Sequence, residues 1–112
     1  MKLIHTGDTG YSKDFRDIGE RLGPVDMAFI PIGAYAPRWF MQVMHVDVPE
    51  AVQVREDLRA ARAIGIHWGT FEGLTDEPLD EPPAVLARQR EARGLARSQF
   101  DVMAIGEVRR LR

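Results

Sequence analysis

The sequence contains no cysteine, which excludes disulfide bridges, thiolate metal sites and thiol catalysis. Histidine is also scarce, so any site built on imidazole must draw on His5, His45 and His67. There is no run of about 18 apolar residues, which predicts that no helix spans a membrane. The first residues do not follow the pattern of a signal peptide. These absences predict a cytoplasmic protein, with peripheral membrane attachment as the second option.

The composition that remains is typical of one globular domain, with 45% hydrophobic and 29% charged residues in 112 positions. The net charge of −2 argues against nucleic-acid binding through bulk positive charge. Arginines concentrate near the end of the chain, at Arg88, Arg90, Arg93, Arg97, Arg109, Arg110 and Arg112. They fit either a solvated helix face or a patch that meets an acidic partner or an anionic lipid surface.

Apolar runs and helix signals alternate in the order β-α-β-α-β-α-β, which predicts an α/β layered domain. Strands are predicted at Lys2–His5, Met27–Ile32, Ala63–His67 and Val102–Ile105. Helices are predicted from Ser12 to Leu22, from Asp47 to Ala61 and from Pro82 to Arg93, with Gly94 ending the last one. Pro31 predicts that the second strand ends there or lies at a sheet edge. Long irregular connections are predicted over 33–47 and 68–83.

Polar side chains follow the first three predicted strands. Asp8 comes after the first strand, Arg38 and His45 lie in the connection after the second, and His67 ends the third. In open α/β sheets, ligands bind at the carboxyl ends of the strands, where these residues could converge. A carboxylate together with imidazoles suits zinc, iron or manganese.

Each of these residues also has a plain structural interpretation. Asp8 stands in a turn between two glycines, where aspartate is common without any ligand. A histidine at a strand end is often a hydrogen-bonded structural residue, and His5 fits that interpretation as well. Trp39 and Phe40 fit a core or an interface as readily as a substrate-binding surface. Spacing alone therefore leaves the metal site as one of two alternatives.

Several longer motifs carry a family resemblance. They are Gly-Asp-Thr-Gly-Tyr at 7–11, Pro-Ile-Gly-Ala-Tyr at 31–35, Pro-Arg-Trp-Phe-Met at 37–41, His-Val-Asp at 45–47 and His-Trp-Gly-Thr-Phe at 67–71. In this order they resemble the C-terminal half of a metallo-β-lactamase-fold hydrolase, in particular N-acyl-phosphatidylethanolamine-hydrolysing phospholipase D. The implied fold is the C-terminal βα half of an αββα sandwich. One departure is Ala36, where the family usually has glutamate.

The resemblance implies a role for each matched residue. Asp8 corresponds to an aspartate that bridges two metal ions, most simply zinc, and His67 to a histidine ligand of the second ion. His45 corresponds to a histidine beside the metals that contacts substrate or assists catalysis. Arg38, Trp39 and Phe40 correspond to a substrate-binding loop at the mouth of the site. The implied reaction is attack by a metal-bridged hydroxide on a small-molecule or lipid phosphodiester.

The family's N-terminal half, with its His-x-His-x-Asp-His motif, is absent from residues 1–112, which we interpret as one partial domain. Half of a sandwich would leave an apolar sheet face open. We therefore expect the chain to need either the missing N-terminal half or a second copy in a homodimer. The alternative is a non-catalytic α/β half-fold that self-associates as a binding or structural module.

Overall fold

In the computed structural model, which describes residues 1–111, helices alternate with strands as the sequence predicts. The elements are β1 (Leu3–His5), α1 (Asp14–Leu22), β2 (Val25–Pro31), α2 (Arg38–Met41), α3 (Val48–Asp57), β3 (Ala60–Ile66), α4 (Glu81–Arg93) and β4 (Phe100–Val102). The strands form one parallel sheet in the order β1-β2-β3-β4. The predicted α/β fold class is confirmed.

The clearest helix signals in the sequence mark real helix ends. Asp47 and Glu50 form a reciprocal capping box at the start of α3, because each side chain accepts a hydrogen bond from the other residue's backbone N–H. At the end of α4, Gly94 adopts a left-handed conformation with φ of 67°. A residue without Cβ takes this conformation at little cost, which ends the helix as predicted.

Other predicted boundaries are wrong, and the cause is strand pairing. The helix predicted from Asp47 to Ala61 is α3, which ends at Asp57. Ala60 already pairs with Val25 of β2. Alanines favour a helix locally, but Ala60 and Ala61 lie in β3, and Ala60 is buried there. The last strand is Phe100–Val102 rather than 102–105, because Phe100 is fully buried and pairs with Ala63.

Three smaller differences concern the first half of the chain. β2 begins at Val25, two residues before the predicted start, and it is an interior strand that ends at Pro31. α1 begins at Asp14 after Lys13 instead of being capped directly by Ser12, whose hydroxyl accepts a 3.3 Å hydrogen bond from the Asp14 N–H. The connection 33–47 contains the short helix α2.

The core lies between the sheet and a helix layer of α1, α3 and α4. Helix α3 contacts β2 and β3 as well as both other helices, and α4 contacts β4. The fully buried side chains include Ile30, Val52, Leu58, Leu86 and Phe100. Burying such a side chain stabilises the fold by about 1.5–3 kcal/mol. None of the helices in the described part of the chain combines the length and apolar character needed to cross a bilayer.

Half of a sandwich was expected to leave the second face of the sheet open, but the middle of this face is buried. Strand alternation places Met27 and Ile64 on this face, yet they are only 4% and 7% exposed. The segment after β4 returns across it, since Arg62 donates a 2.6 Å hydrogen bond to the Leu111 carbonyl oxygen. Leu3, at the β1 edge of the same face, is half exposed. The chain thus covers the middle of this face and leaves one edge open.

Asp101 of β4 anchors this returning segment and brings together part of the arginine-rich end. Its carboxylate is buried and receives hydrogen bonds from Arg97 at 3.1 Å and Arg109 at 2.8 Å, with Arg90 at 3.7 Å. Burial by itself would raise the pKa of Asp101. The backbone N–H of Val102 and the guanidinium groups of Arg109 and Arg97 outweigh it and hold the pKa below its usual value.

We expect Asp101→Asn to lower the free energy of unfolding at pH 7 by about 2 kcal/mol, because the buried position loses the charge with which Arg90, Arg97 and Arg109 pair. A lowered pKa stabilises the fold above the ordinary aspartate range and loses that contribution as the pH falls through the folded-state value. The difference from wild type should therefore shrink below about pH 4. Urea denaturation at pH 7 and pH 3 measures it. Exposed Asp80→Asn is the control, and an equal effect at both pH values would contradict the prediction.

Candidate metal centre

The connections that follow β1, β2 and β3 meet at the carboxyl edge of the sheet and bring together Asp8, His45 and His67. One ligand atom from each residue lies within 4.8 Å of the others. The Asp8 Oδ1 and His67 Nε2 atoms are 3.5 Å apart, and the two imidazole centres are 5.1 Å apart. Two nitrogens and a carboxylate oxygen at this separation are a donor set that suits a divalent ion such as zinc, iron or manganese.

His67 is held in its place by unusual backbone geometry. It follows β3 with φ of 59°, a left-handed conformation that costs a non-glycine residue about 1 kcal/mol or more. Its carbonyl oxygen lies against Gly33, where a Cβ atom would come within 2.1 Å of it. Strain of this kind collects at functional sites, where the surrounding structure compensates for it. The ends of β2 and β3 therefore position His67 jointly.

Hydrogen bonds on both sides hold the turn that carries Asp8. Gly7 has φ of 64°, and its N–H donates a 3.0 Å hydrogen bond to Nδ1 of His5. His5 therefore supports the turn and is not part of the Asp8 cluster. Beyond the turn, the hydroxyl of Tyr11 donates to the carboxylate of Asp57 on α3. Asp8 itself is exposed, as a residue that meets a ligand from solvent would be.

His45 is the buried member of the cluster, with 9% of its surface exposed. Its Nδ1 atom is buried and has no hydrogen-bond partner among residues 1–111. An unpartnered buried nitrogen is costly unless a ligand meets it, so the site fits a metal ion or a bound substrate group. Burial and the neighbouring His67 lower the pKa of His45, so that it is uncharged at neutral pH and keeps a free lone pair.

The three residues predicted for the mouth of the site separate into two groups. Arg38 faces the protein, where its guanidinium donates hydrogen bonds to the carbonyl oxygens of His45 at 2.8 Å and Tyr35 at 3.1 Å. It also pairs with Glu50 of the α3 capping box. Trp39 and Phe40 instead stand on the surface, 77% and 67% exposed, with their rings packed edge to face. The structure thus shows Arg38 holding the backbone of His45.

We expect Arg38→Met to lower the free energy of unfolding by about 2 kcal/mol, because two carbonyls and a carboxylate lose a charged donor. The chemical shifts of the His45 ring should move as well, since its backbone is released. Equilibrium denaturation and NMR measure the two effects. Arg88→Met, at an exposed position of α4, serves as the control. An Arg38→Met variant as stable as that control would contradict the prediction.

Sequence reasoning missed two features of the site. The close approach of Gly33 to His67 was not anticipated, although Gly33 directly follows a predicted strand, which is a signal for tight backbone contact. The second is a cavity beside His67, walled by the segment after β3. That segment was predicted only as a long connection, and no motif in it marks a cavity.

Comparison with known protein families agrees with the geometry of the cluster. Residues 1–68 match the family model described as the beta-lactamase superfamily domain, and they include all three residues of the cluster. The chain belongs to the β-lactamase superfamily. The predicted resemblance to N-acyl-phosphatidylethanolamine-hydrolysing phospholipase D is confirmed.

Two curated relatives from this superfamily carry that phospholipase name. The chain is 47% identical over 109 residues to N-acyl-phosphatidylethanolamine-hydrolyzing phospholipase D 1 of Caenorhabditis elegans, which covers 96% of this chain and 31% of the nematode protein. It is 43% identical over 82 residues to the mitochondrial enzyme of Saccharomyces cerevisiae, covering 71% of this chain and 17% of the yeast protein. The chain thus spans less than a third of either relative.

A solved structure shows the same fold. It is Igni18, a metallo hydrolase from the hyperthermophilic archaeon Ignicoccus hospitalis, with a TM-score of 0.66 and 28% identity. The match covers 94% of this chain and 39% of Igni18. The chain therefore shares the fold of a portion of this larger metallo hydrolase.

Proposed function

We propose that this chain is the C-terminal half of a phosphodiesterase of the phospholipase D type. The observation that carries the proposal is the convergence of Asp8, His45 and His67 at the carboxyl edge of the sheet. Identity of 47% to a phospholipase D over nearly the whole chain supports the reaction class. The proposed substrate is a lipid phosphodiester, and the proposed location is the cytoplasm or its membrane surfaces.

Asp8 and His67 are the proposed metal ligands, and zinc is the proposed metal. A bound pair of divalent ions would activate water and neutralise charge that develops on the phosphoryl group. Asp8 supplies the negative charge that such ions need, and the strained backbone of His67 holds its imidazole toward Asp8. Two ligands are too few for a complete dinuclear site. An N-terminal half, or a second copy of the chain in a homodimer, would supply the others.

In this proposal His45 acts on the substrate rather than on the metal. As an uncharged imidazole it can donate or accept a hydrogen bond at a phosphoryl or leaving-group oxygen. Arg38 fixes the carbonyl of His45 and so sets the position of the ring. Trp39 and Phe40 extend from the same short helix into solvent, where they would contact the apolar part of a lipid.

The test is a chimera in which this chain replaces the matching 109-residue segment of the nematode relative. We expect the chimera to hydrolyse N-acyl-phosphatidylethanolamine and its His67→Ala variant to be inactive. The isolated chain should be inactive because its ligand set is incomplete. A chimera that folds and binds metal but leaves phosphodiesters intact would reject the phosphodiesterase reaction.

One observation favours the second candidate, a non-catalytic module. Met27 and Ile64, in the middle of the second sheet face, are already buried within this chain, and the segment after β4 returns to that face at Arg62. A chain that covers this face itself has less need of another sheet. For this candidate, metal analysis of the isolated chain should find less than about 0.1 ion per chain. Light scattering should find a species that self-associates through the β1 edge, which stays open at the half-exposed Leu3.

A further inference from the structure

Asp57, the last residue of α3, places a carboxylate where a helix disfavours one. The carbonyl groups at the end of a helix carry partial negative charge, which opposes a second negative charge there. Asp57 is also only 8% exposed, and it forms no ion pair with any residue among 1–111. Burying a carboxylate without a counter-charge is costly. A residue that breaks these local rules points to a specific use for its oxygens.

Both oxygens of this carboxylate accept hydrogen bonds from neutral side chains. Gln53, one turn earlier in α3, donates to Oδ1 at 3.0 Å, and the hydroxyl of Tyr11 donates to Oδ2. The first bond stays within the helix, whereas the second joins residues 46 positions apart. The bond to Asp57 raises the pKa of Tyr11, so the phenol keeps its proton and remains a donor at neutral pH.

The backbone of Asp57 is itself fixed by a second helix. A Cβ atom at Gly19 of α1 would lie 2.0 Å from the carbonyl oxygen of Asp57, so the two helices meet there backbone to backbone. The carboxylate therefore projects from a rigid junction of α1 and α3. Supporting residues on rigid elements are those that hold a functional side chain in place most precisely.

Tyr11 ends the turn that carries Asp8, three residues earlier in the chain. Between them, the carbonyl oxygen of Thr9 accepts a 2.8 Å hydrogen bond from the N–H of Val46, in the connection that also carries His45. The end of the turn is thus fixed at two points, one beside the metal cluster and one on α3. Because close-packed structures transmit strain, a displacement of Tyr11 should reach Asp8.

We propose that Asp57 and Tyr11 are positioning residues for Asp8. The Asp57 carboxylate holds the Tyr11 hydroxyl and so directs the Asp8 carboxylate toward Nε2 of His67, 3.5 Å away. The inference rests on the proposed function for the metal that Asp8 would bind. The position of the turn is measurable without metal, on the 112-residue chain itself.

Gln53→Met is a matched control for Tyr11→Phe, because each variant removes one neutral donor from the same carboxylate. In the chimera with the nematode relative, Tyr11→Phe should weaken zinc binding about tenfold, the lower end of the effect of residues that orient metal ligands. Gln53→Met should leave zinc affinity unchanged. Chelator competition, at a temperature where each variant is fully folded, separates this effect from loss of stability.

Asp57→Asn is the conservative variant and Asp57→Leu the disruptive one. Asparagine keeps an oxygen that accepts from Tyr11, and its amide can donate to the side-chain oxygen of Gln53. Asp57→Asn should therefore bind zinc as wild type does, whereas Asp57→Leu should match Tyr11→Phe. This pair distinguishes the hydrogen bond to Tyr11 from the negative charge of Asp57.

The second measurement uses nitrogen–proton NMR spectra of the metal-free chain. Tyr11→Phe should shift the amide signals of Gly7 and Asp8, and Gln53→Met should leave them in place. Unmoved signals would overturn the proposal. So would equal zinc affinities of Tyr11→Phe and Gln53→Met, or an Asp57→Asn variant as weak as Asp57→Leu. A chimera that binds no zinc would reject the proposed metal function, and the NMR spectra would still decide whether Tyr11 positions Asp8.

Discussion

Asp8→Asn is expected to reduce divalent metal affinity by more than about 100-fold, because loss of a ligand should cost at least as much as loss of a ligand's supporting partner. Asparagine keeps the shape of the side chain and removes its charge, and that charge lies 3.5 Å from Nε2 of His67. Since Asp8 is well exposed, the fold should be nearly as stable as wild type. In the nematode chimera, phosphodiester hydrolysis should fall together with metal occupancy.

Competition with a chromophoric chelator measures zinc affinity, and urea denaturation measures stability. Asp17→Asn provides the control, because it makes the same chemical change at an exposed position of α1, outside the cluster. An Asp8→Asn chimera that keeps full metal occupancy and full activity would remove Asp8 from the ligand set. Loss of stability together with metal would instead assign Asp8 a structural role in the turn at Gly7.

The convergence of the site was predictable from the sequence because it follows from one topological rule. Asp8, His45 and His67 each follow a strand, and parallel neighbouring strands end at the same edge. That rule places whole connections together and does not depend on accurate element boundaries. It therefore held although β2 begins two residues before its predicted start and α3 ends four residues early.

The failures arise where tertiary contacts override local signals. Ala60 and Ala61 have high helix propensity, yet they belong to β3, which pairs with β2. A segment far along the chain returns to the second sheet face through Arg62 and Asp101. No periodicity in a single sequence encodes such a pairing. The inward direction of Arg38 was equally hidden, because its acceptors are mostly backbone carbonyls, which every sequence position offers.

Gly33→Ala is expected to be strongly damaging although Gly33 lies outside the cluster. A Cβ atom at Gly33 would lie 2.1 Å from the carbonyl oxygen of His67 and 3.2 Å from Cα of Trp68. These are backbone atoms next to a residue that already has φ of 59°, so they cannot move aside cheaply. We expect a loss of about 3 kcal/mol in the free energy of unfolding. In the folded fraction, a displacement of His67 by about 1 Å would reduce hydrolysis by the chimera about 100-fold.

The control for this substitution is Gly94→Ala, which replaces another glycine but meets open space. Gly94 has φ of 67° at the end of α4 and no atom within 4 Å of the added Cβ. It should therefore cost only about 1 kcal/mol of backbone strain and leave metal affinity unchanged. Denaturation together with zinc titration at a temperature where both variants are folded separates stability from site geometry. If Gly33→Ala lost no more than Gly94→Ala in either measurement, the contact between the ends of β2 and β3 would not be what positions His67. The imidazole would then depend on the conformation of its own loop.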